Sequence, residues 1–270
     1  MGLSSCREWT GSAWEDGNDI EASLGSMAIS GTRDDCIYFG GYEDTVGVAA
    51  YVNRTQVHNG SSWNTPSSDM TRAQSGGGSG TSSTTAILPC GSTVGSNDAT
   101  NQILDGTSWA DGSDVGTNRT EYGSAGSSTD LIITSGVGFS ASDEINTAEK
   151  LDGTTWSSIT AVGIYTRYAA SWGDGADFYT TVGGIQYNSP YGSPTAHVVN
   201  RTPKHWDGSA WSNDTDTPTA GGTSGGKYNL NRNGATTGNS GTQGAMVCLG
   251  YNYTAADTHG QQTSNFEATW

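Results

Sequence analysis

The chain has 270 residues and a formal net charge of −16, with 11 Lys and Arg against 27 Asp and Glu. Nucleic acids and anionic membranes attract basic surfaces, so this composition argues against a nucleic-acid partner and against membrane insertion. No apolar run is long enough to span a membrane, and the opening MGLSSCREW lacks the apolar core of a secretion signal. Nine Trp and twelve Tyr argue against disorder, and 40 Gly favour an all-β protein rich in tight turns.

A short turn followed by Trp recurs at intervals of about 50 residues, a period typical of repeat architectures. The copies are TGSAW 10–14, NGSSW 59–63, DGTSW 105–109, DGTTW 152–156 and DGSAW 207–211. Asn-Gly and Asp-Gly favour two-residue hairpin turns because these residues tolerate positive φ. We expect the repeat tryptophans to lie on the outermost strand of each unit and to cover its interface with the next unit. They are Trp14, Trp63, Trp109, Trp156 and Trp211.

Each unit also contains a short apolar run that ends in Gly. The runs are CIYFGG 36–41, AILPCG 86–91, LIITSG 131–136, FYTTVGG 178–184 and AMVCLG 245–250. Such runs, bounded by Gly, predict strands that are buried on both faces. A strand of small residues precedes each run, and a variable loop and a further strand follow it before the turn. Four short antiparallel strands per unit are typical of a propeller blade.

The two ends of the chain predict how the repeats close. TSNFEATW 263–270 aligns with VNRTPKHW 199–206, so Trp270 matches Trp206 and the last unit lacks its outer strand. EWTGSAW 8–14 contains the missing strand. We therefore expect one domain, 1–270, folded as an all-β five-bladed propeller in which the N-terminal strand completes the last blade and Trp14 closes the ring. The expected units are 15–63, 64–109, 110–156, 157–211, and 212–270 plus 1–14.

The chain resembles kelch-type propellers in one recurring feature. Gly40-Gly41 and Gly183-Gly184 each end an apolar strand and lead on to the turn and the Trp. GTRDDCIYFGG 31–41 and GTQGAMVCLG 241–250 look most similar to kelch-like repeat proteins encoded by marine bacteriophages. That resemblance implies a virion component, a tail fibre or capsid decoration, on the virion surface. Its partners would be other virion proteins or copies of itself. Fold alone does not give function, so these are expectations.

No pattern in the sequence predicts a catalytic residue, a metal site or a cofactor. GTSGG 222–226 fits the GxSxG motif but lies in a Gly-rich linker without a strand–turn–helix context. Kelch-like copper oxidases resembling galactose oxidase need two Tyr, two His and a Cys crosslinked to Tyr. The four His of this chain occupy different repeat positions. Two acidic turns could ligate calcium but are expected to be solvated, and they contain Asp16, Asn18, Asp19, Asp34 and Asp35.

Arginine recurs near the predicted start of the innermost strand, at Arg72, Arg119, Arg167 and, less clearly, Arg232. In one interpretation a ring of Arg binds an anion in the central channel. In the other, which we favour, each Arg bonds carbonyl groups or Asp of the neighbouring blade and serves the scaffold.

Cysteines and glycosylation motifs offer candidate modification sites. Cys36, Cys90 and Cys248 each lie in an apolar stretch, so we expect buried small apolar residues; a disulfide that includes Cys6 is the alternative. Without a secretion signal, we expect the six Asn-x-Ser/Thr motifs to be unmodified. They begin at Asn53, Asn59, Asn118, Asn200, Asn213 and Asn252.

The variable loops between the second and third strands hold the best binding candidates. The relevant loops are IQYNSPYGSP 185–194 and GYNYTAAD 250–257. A Tyr ring offers a flat apolar face with a polar tip, which suits sugars and protein partners, although the rings can instead pack over their own loops. The candidate residues are Tyr187, Tyr191, Tyr251 and Tyr253.

These observations predict a non-enzymatic virion structural or adhesion protein that displays variable loops toward a host glycan or a neighbouring subunit. The first alternative is a secreted or cell-surface lectin-like propeller. The second is a polysaccharide-active enzyme, which would require a cluster of carboxylates at one mouth of the propeller.

Overall fold

The structure is a computed structural model, and it describes a defined set of residues. These are 6–9, 12–21, 24–25, 27–32, 34–45, 48–65, 68–138, 144–167, 169, 171–180, 185–187, 204–213, 227–229, 246–253 and 260–266. Their regular elements are all β-strands. Within these ranges there is accordingly no helix long and apolar enough to cross a membrane.

The strands fall into an N-terminal hairpin and five successive units. The hairpin consists of β1 (Arg7–Trp9) and β2 (Trp14–Asp16). Unit I contains β3 (Leu24–Gly25), β4 (Ala28–Thr32), β5 (Asp35–Phe39), β6 (Tyr42–Thr45), β7 (Val48–Tyr51), β8 (Thr55–His58) and β9 (Trp63–Asn64). Unit II contains β10 (Ser79–Ser82), β11 (Thr85–Leu88), β12 (Gly91–Thr93), β13 (Ser96–Asp98), β14 (Gln102–Asp105) and β15 (Ser108–Asp111).

The remaining strands belong to three further units. Unit III contains β16 (Gly123–Gly126), β17 (Asp130–Thr134), β18 (Ala148–Asp152) and β19 (Thr155–Ile159). Unit IV contains β20 (Tyr165–Arg167), β21 (Ser171–Gly173), β22 (Phe178–Thr180), β23 (Ile185–Tyr187), β24 (Lys204–Trp206) and β25 (Trp211–Asn213). Unit V contains β26 (Lys227–Asn229), β27 (Met246–Tyr253) and β28 (Gly260–Phe266).

Four of the units each build one four-stranded antiparallel sheet. Sheet I has the order β4-β5-β8-β9, sheet II β10-β11-β14-β15, sheet III β16-β17-β18-β19 and sheet IV β21-β22-β24-β25. Unit V contributes the three-stranded sheet β26-β27-β28. The prediction of an all-β chain with four antiparallel strands per unit is thus confirmed for the first four units.

The second strand of sheets I to III is buried on both faces, as its apolar run predicted. Ile37 and Phe39 of β5 enter a cluster with residues of sheet II, whereas Tyr38 between them packs with Ile20 and Leu24 on the opposite side. Side chains alternate along a strand, so a run without polar interruption supplies both faces at once. The same alternation places Leu131 and Ile133 against sheet II and Ile132 against sheet IV.

The first strands of consecutive sheets lie side by side and run parallel. A Cβ atom added at Gly78 would meet the Cβ of Ala28 at 2.6 Å, and one added at Gly77 would meet Oγ of Ser124 at 3.2 Å. Ser79 also donates a hydrogen bond of 2.6 Å to the carbonyl of Gly126. Small residues recur here because larger ones would separate adjacent sheets. The sheets are therefore arranged in a propeller-like fashion, with their first strands inward.

The repeat tryptophans of sheets II to IV cover the interface with the preceding sheet, which corrects the expectation that they cover the next one. Trp109 of sheet II packs in the cluster that contains Phe39 of sheet I. Trp211 of sheet IV donates its Nε1 hydrogen to the carbonyl of Thr160, just after sheet III, over 2.7 Å. The physical reason lies in register: Trp109 is paired with Leu104, and directly paired residues point to the same face. Leu104 faces sheet I, so Trp109 does too.

The N-terminal segment also differs from its expected form. Residues 8–14 were expected to supply a single outer strand, but β1 and β2 form a hairpin in which Trp9 pairs with Trp14. Trp206 pairs with Trp211 in the same way in sheet IV. The hairpin thus reproduces the third and the outer strand of a sheet together. The side chain of Trp14 lies outside the described residues, so its closing role stays a prediction.

Candidate binding face

A second set of paired segments extends each unit beyond its main sheet. The linker ahead of the first strand pairs with the segment that follows the second strand: β3 with β6, Ser75 with Ser92, Thr120 with Val137, β20 with β23, and β26 with β27. Because the first strands of units I to III run parallel, these extensions project from the same side of the molecule. Unit IV has the same connectivity. We call this side the loop face.

The connections on the loop face differ from unit to unit. Unit I carries the hairpin β6–β7, in which the rings of Tyr42 and Tyr51 contact each other edge to face with centroids 5.4 Å apart. Unit II carries the shorter hairpin β12–β13, and Val94 at its tip is 83% exposed. In unit III, the described residues at this place form the isolated bridge of Val137 with Glu144. The variation between units is therefore concentrated on this face.

The structure places the predicted tyrosines on strands and not in loops. Tyr187 lies in β23 opposite Tyr165, and Tyr251 and Tyr253 lie in β27, paired with β26 and β28. Their side chains, and the whole of Tyr191, lie outside the described residues, so their binding role stays a prediction. These tyrosines lie in strands, and not in the expected loops, because an earlier segment of the chain pairs with them. The Tyr42–Tyr51 pair was missed, although YEDTVGVAAY occupies the same place in its unit as IQYN does in unit IV.

Arg119 forms a buried ion pair with Glu149 of β18. Its side chain is 0% exposed, and Nη2 lies 2.6 Å from Oε1 of Glu149. Its Nη1 donates to the carbonyls of Ser135 and Thr147. Glu149 in turn accepts hydrogen bonds from the backbone amides of residues 116 and 117 in the linker ahead of sheet III. A guanidinium enclosed in this way cannot meet an anion in a channel, so Arg119 serves the scaffold.

In units I and II, the equivalent residue of the third strand also accepts a hydrogen bond from the linker. Oε1 of Gln56 accepts the backbone amide of Glu21 at 3.0 Å, and Oε1 of Gln102 accepts that of Arg72 at 2.9 Å. Sequence reasoning missed this contact. The signal was present, because Gln56, Gln102 and Glu149 stand at the same distance before their repeat tryptophans.

Arg72 forms ion pairs with carboxylates, as Arg119 does, but at the surface of the protein. Its guanidinium lies 3.1 Å from Oδ2 of Asp111 and 3.5 Å from Oδ2 of Asp98, both in its own unit. Asp111 also accepts a hydrogen bond from the hydroxyl of Thr71, and the bonds from Thr71 and Arg72 lower the pKa of Asp111. These partners lie within one blade, whereas the sequence suggested the neighbouring one.

Arg167 links unit IV to unit III through two carboxylates. It bonds Glu144, whose side chain is 1% exposed, and lies 3.6 Å from Oε2 of Glu121. Oε2 of Glu144 is buried without a hydrogen-bond partner among the described residues. Glu121 adopts a φ of 58°, which is uncommon outside Gly and often marks a functional position. Arg167 also pairs with Ile185 of β23, so this cluster adjoins the strand of Tyr187.

The remaining candidates have structural contacts where the structure describes them. The amide of Asn18 donates to the carbonyl of Ser61, and Oδ1 of Asp35 accepts the backbone amide of Ser83 at 3.0 Å. In the described part of the chain, no group of three or more His, Cys, Asp or Glu could hold a metal ion. Residues 222–226 and Arg232 lie outside the described residues.

Cys36 and Cys90 are buried thiols, as expected for small apolar residues, and Cys6 is a partly exposed thiol. Burial raises the pKa of Cys90 to about 12. The side chain of Cys248 lies outside the described residues. Of the glycosylation motifs, Asn53 and Asn118 use their side-chain nitrogens to donate hydrogen bonds to the carbonyls of Met70 and Asn97.

Comparison with known proteins identifies the fold and no family. No protein-family model and no curated protein matches the chain. The solved structure of YjhT is similar, with a TM-score of 0.68 and 11% sequence identity, over 96% of this chain and 87% of YjhT. At that identity the likeness concerns the fold alone, which is an all-β, propeller-like arrangement of antiparallel sheets.

Proposed function

We propose that this chain is a non-enzymatic structural or adhesion protein of a virion surface, a phage tail fibre or capsid decoration. The observation that supports this best is that the recurring charged residues stabilise the scaffold, whereas the variable segments lie together on the loop face. The recurring charged side chains Arg72, Arg119 and Arg167 are each held by carboxylates of the chain, whereas the connections of the loop face vary. Preformed connections lose little entropy on binding, and many copies on a particle would add avidity. The virion location rests on the resemblance of the repeats to kelch-like phage proteins.

We further infer that the units close into a ring of five blades. Among the described residues, the pairing between linker and second-strand extension recurs four times, and β26 pairs with β27 further along the chain. Tyr38 and Trp63 form a cluster on the side of sheet I that faces away from sheet II, and this cluster includes Cys6, which directly precedes β1. A preceding blade is therefore needed next to sheet I. The hairpin β1–β2 together with unit V would supply it.

A lectin-like function is the second candidate, favoured by the cluster of Glu121, Glu144 and Arg167 on the loop face. Carboxylates accept and guanidinium groups donate hydrogen bonds, which together match the hydroxyls of a sugar. The neighbouring Tyr187 would add an apolar platform. A secreted or cell-surface propeller could use the same cluster for the same ligand.

Two measurements distinguish these proposals. Immunogold labelling and crosslinking of particles from the source culture should place the chain on a particle surface, with crosslinks to capsid or tail proteins. Recovery only as a soluble monomer, or glycans on Asn118 or Asn200 by mass spectrometry, would contradict the virion proposal. Independently, a glycan panel should show binding that Tyr187→Ala weakens and Arg72→Ala leaves unchanged. An enzyme would instead degrade a polysaccharide in that panel.

A further inference from the structure

The turn that joins β8 to β9 carries an arrangement of groups found in no other described turn of the chain. Asn59 is exposed at its first position, and its Oδ1 accepts hydrogen bonds from the backbone amides of Ser61 at 3.1 Å and Ser62 at 3.0 Å. The hydroxyl of Ser61 adds a third bond at 2.9 Å. Gly60 follows with a φ of 86°, which Gly adopts without strain. The side-chain carbonyl of Asn59 is thus surrounded by donors.

The backbone amide of Gly60 donates to Nδ1 of His58 over 3.3 Å. His58 is 4% exposed, and its ring lies 5.0 Å from that of Trp63, so the imidazole is held in place by packing. A nitrogen that accepts an N–H hydrogen bond is the unprotonated nitrogen of the ring. When Asn-Gly closes to a succinimide, the base therefore contacts the nitrogen that attacks, and the donors contact the oxygen on which negative charge develops.

We propose that Asn59 is a site of self-catalysed deamidation. The Gly60 nitrogen attacks Cγ of Asn59 while His58 takes its proton. The hydrogen bonds from Ser61 and Ser62 stabilise the negative charge that develops on Oδ1. The bond from Cγ to the side-chain nitrogen breaks, and ammonia leaves with a proton returned by His58. Water then opens the imide at either carbonyl and yields aspartate or isoaspartate. Each converted copy gains a negative charge and loses the glycosylation motif at residue 59.

The chain contains a matched comparison for the product of this reaction. In the corresponding turn of sheet IV, Oδ1 of Asp207 accepts the backbone amides of Ser209 at 2.9 Å and Ala210 at 2.8 Å. An aspartate therefore fits this kind of turn without loss of contacts. Trp206 stands there in place of the histidine, and its indole nitrogen is only a donor. The Asp207 turn thus lacks the base.

The experiment measures conversion of Asn59 by peptide mass spectrometry during incubation at neutral pH. The folded protein is compared with the same chain in urea and with a synthetic peptide of residues 55–64. We expect the folded protein to react at least about a hundredfold faster than both references, the lower end of the range for general-base catalysis. A folded-state rate equal to or below that of the references overturns the proposal.

The variant His58→Phe keeps the ring packing on Trp63 and removes the base. Its folded form should react no faster than the peptide, and a rate equal to that of the wild type would also overturn the proposal. If His58→Phe does not fold, the comparison of deamidation rates between the folded and the urea-unfolded wild type still tests the proposal. Asn59→Asp serves as the mass standard and should melt at the wild-type temperature, since Asp207 makes the same contacts.

Discussion

The ring of Trp109 in sheet II lies against that of Phe39 in sheet I, with centroids 5.0 Å apart and planes inclined by 50°. Trp109 is 6% exposed and Phe39 is 0% exposed, so the pair seals the outer part of the interface between the two sheets. The repeated Trp is thus an interface residue that each unit presents to the unit before it.

Replacement of Trp109 by Ala should therefore destabilise the protein strongly. Removing a buried aromatic side chain costs about 3–5 kcal/mol in the free energy of unfolding. Trp109→Phe should cost less, because it keeps the ring contact and because Nε1 of Trp109 is buried without a hydrogen-bond partner among the described residues. Urea denaturation measures both variants. Equal losses for Ala and Phe would show that the ring contact contributes little.

Arg119→Ala should also be severely destabilising, because it leaves the carboxylate of Glu149 buried without its cation. Breaking a buried ion pair from one side costs about 3–5 kcal/mol. The double variant Arg119→Leu/Glu149→Leu should lose less than the sum of the single changes, since it leaves no buried charge. The control is Arg72→Ala, whose exposed pair is worth only about 0–1 kcal/mol. Similar losses at residues 72 and 119 would contradict the distinction between the two pairs.

Gly78→Ala tests the close approach of the first strands. The added methyl group would lie 2.6 Å from Cβ of Ala28 and 2.5 Å from the ring of Phe39. Overpacking of this kind costs about 1–3 kcal/mol. Gly77→Ala is the control at the neighbouring position and should destabilise less, because the atoms nearest to its added methyl group lie at 3.2 Å. A melting temperature for Gly78→Ala at or above that of Gly77→Ala would argue against the tight packing.

Stability should fall as the pH rises through the alkaline range. Burial raises the pKa of Cys90 to about 12, and it also raises the pKa values of Tyr122 and Tyr38. An unfolded thiol titrates near about 8.5, so above that pH the folded chain holds more protons than the unfolded chain. The stability contributed by the protonated thiol is complete below about pH 8.5 and is lost above it, by at most about 1.4 kcal/mol per pH unit.

Urea midpoints at pH 7, 9 and 10 measure this dependence. Cys90→Ala should flatten the decline between pH 7 and 9, where the tyrosines contribute little because their unfolded pKa is about 10. If the free energy of unfolding declines equally steeply in the wild type and in Cys90→Ala, groups other than Cys90 cause the decline.

Deletion of residues 1–14 tests closure of the ring. It removes Cys6 and the whole of β1, and should expose the cluster around Tyr38 and Trp63. We expect a lower melting temperature and a change in Trp fluorescence. An unchanged melting temperature would refute closure by the N-terminal segment. A matched control that removes only residues 1–5 should behave like the full chain.

Local patterns in the sequence were sufficient to predict the strands and their repetition. The apolar run CIYFGG became β5, and AILPCG and LIITSG became β11 and β17, each buried on both faces. The Asp-Gly and Asn-Gly turns lie between the third and outer strands, as expected. These features depend on residues close together in the chain, which is why a sequence alone predicts them.

Only the tertiary structure determined which partners the repeated side chains meet. Register across the hairpin directs Trp109 to the preceding sheet, and the linkers bring Arg119 to Glu149 and Arg167 to Glu144. The strands of Tyr251 and Tyr253 exist because a distant segment pairs with them. Each of these contacts joins residues far apart in the chain. A local pattern predicts that a side chain will be buried, but it does not contain the position of the atoms that bury it.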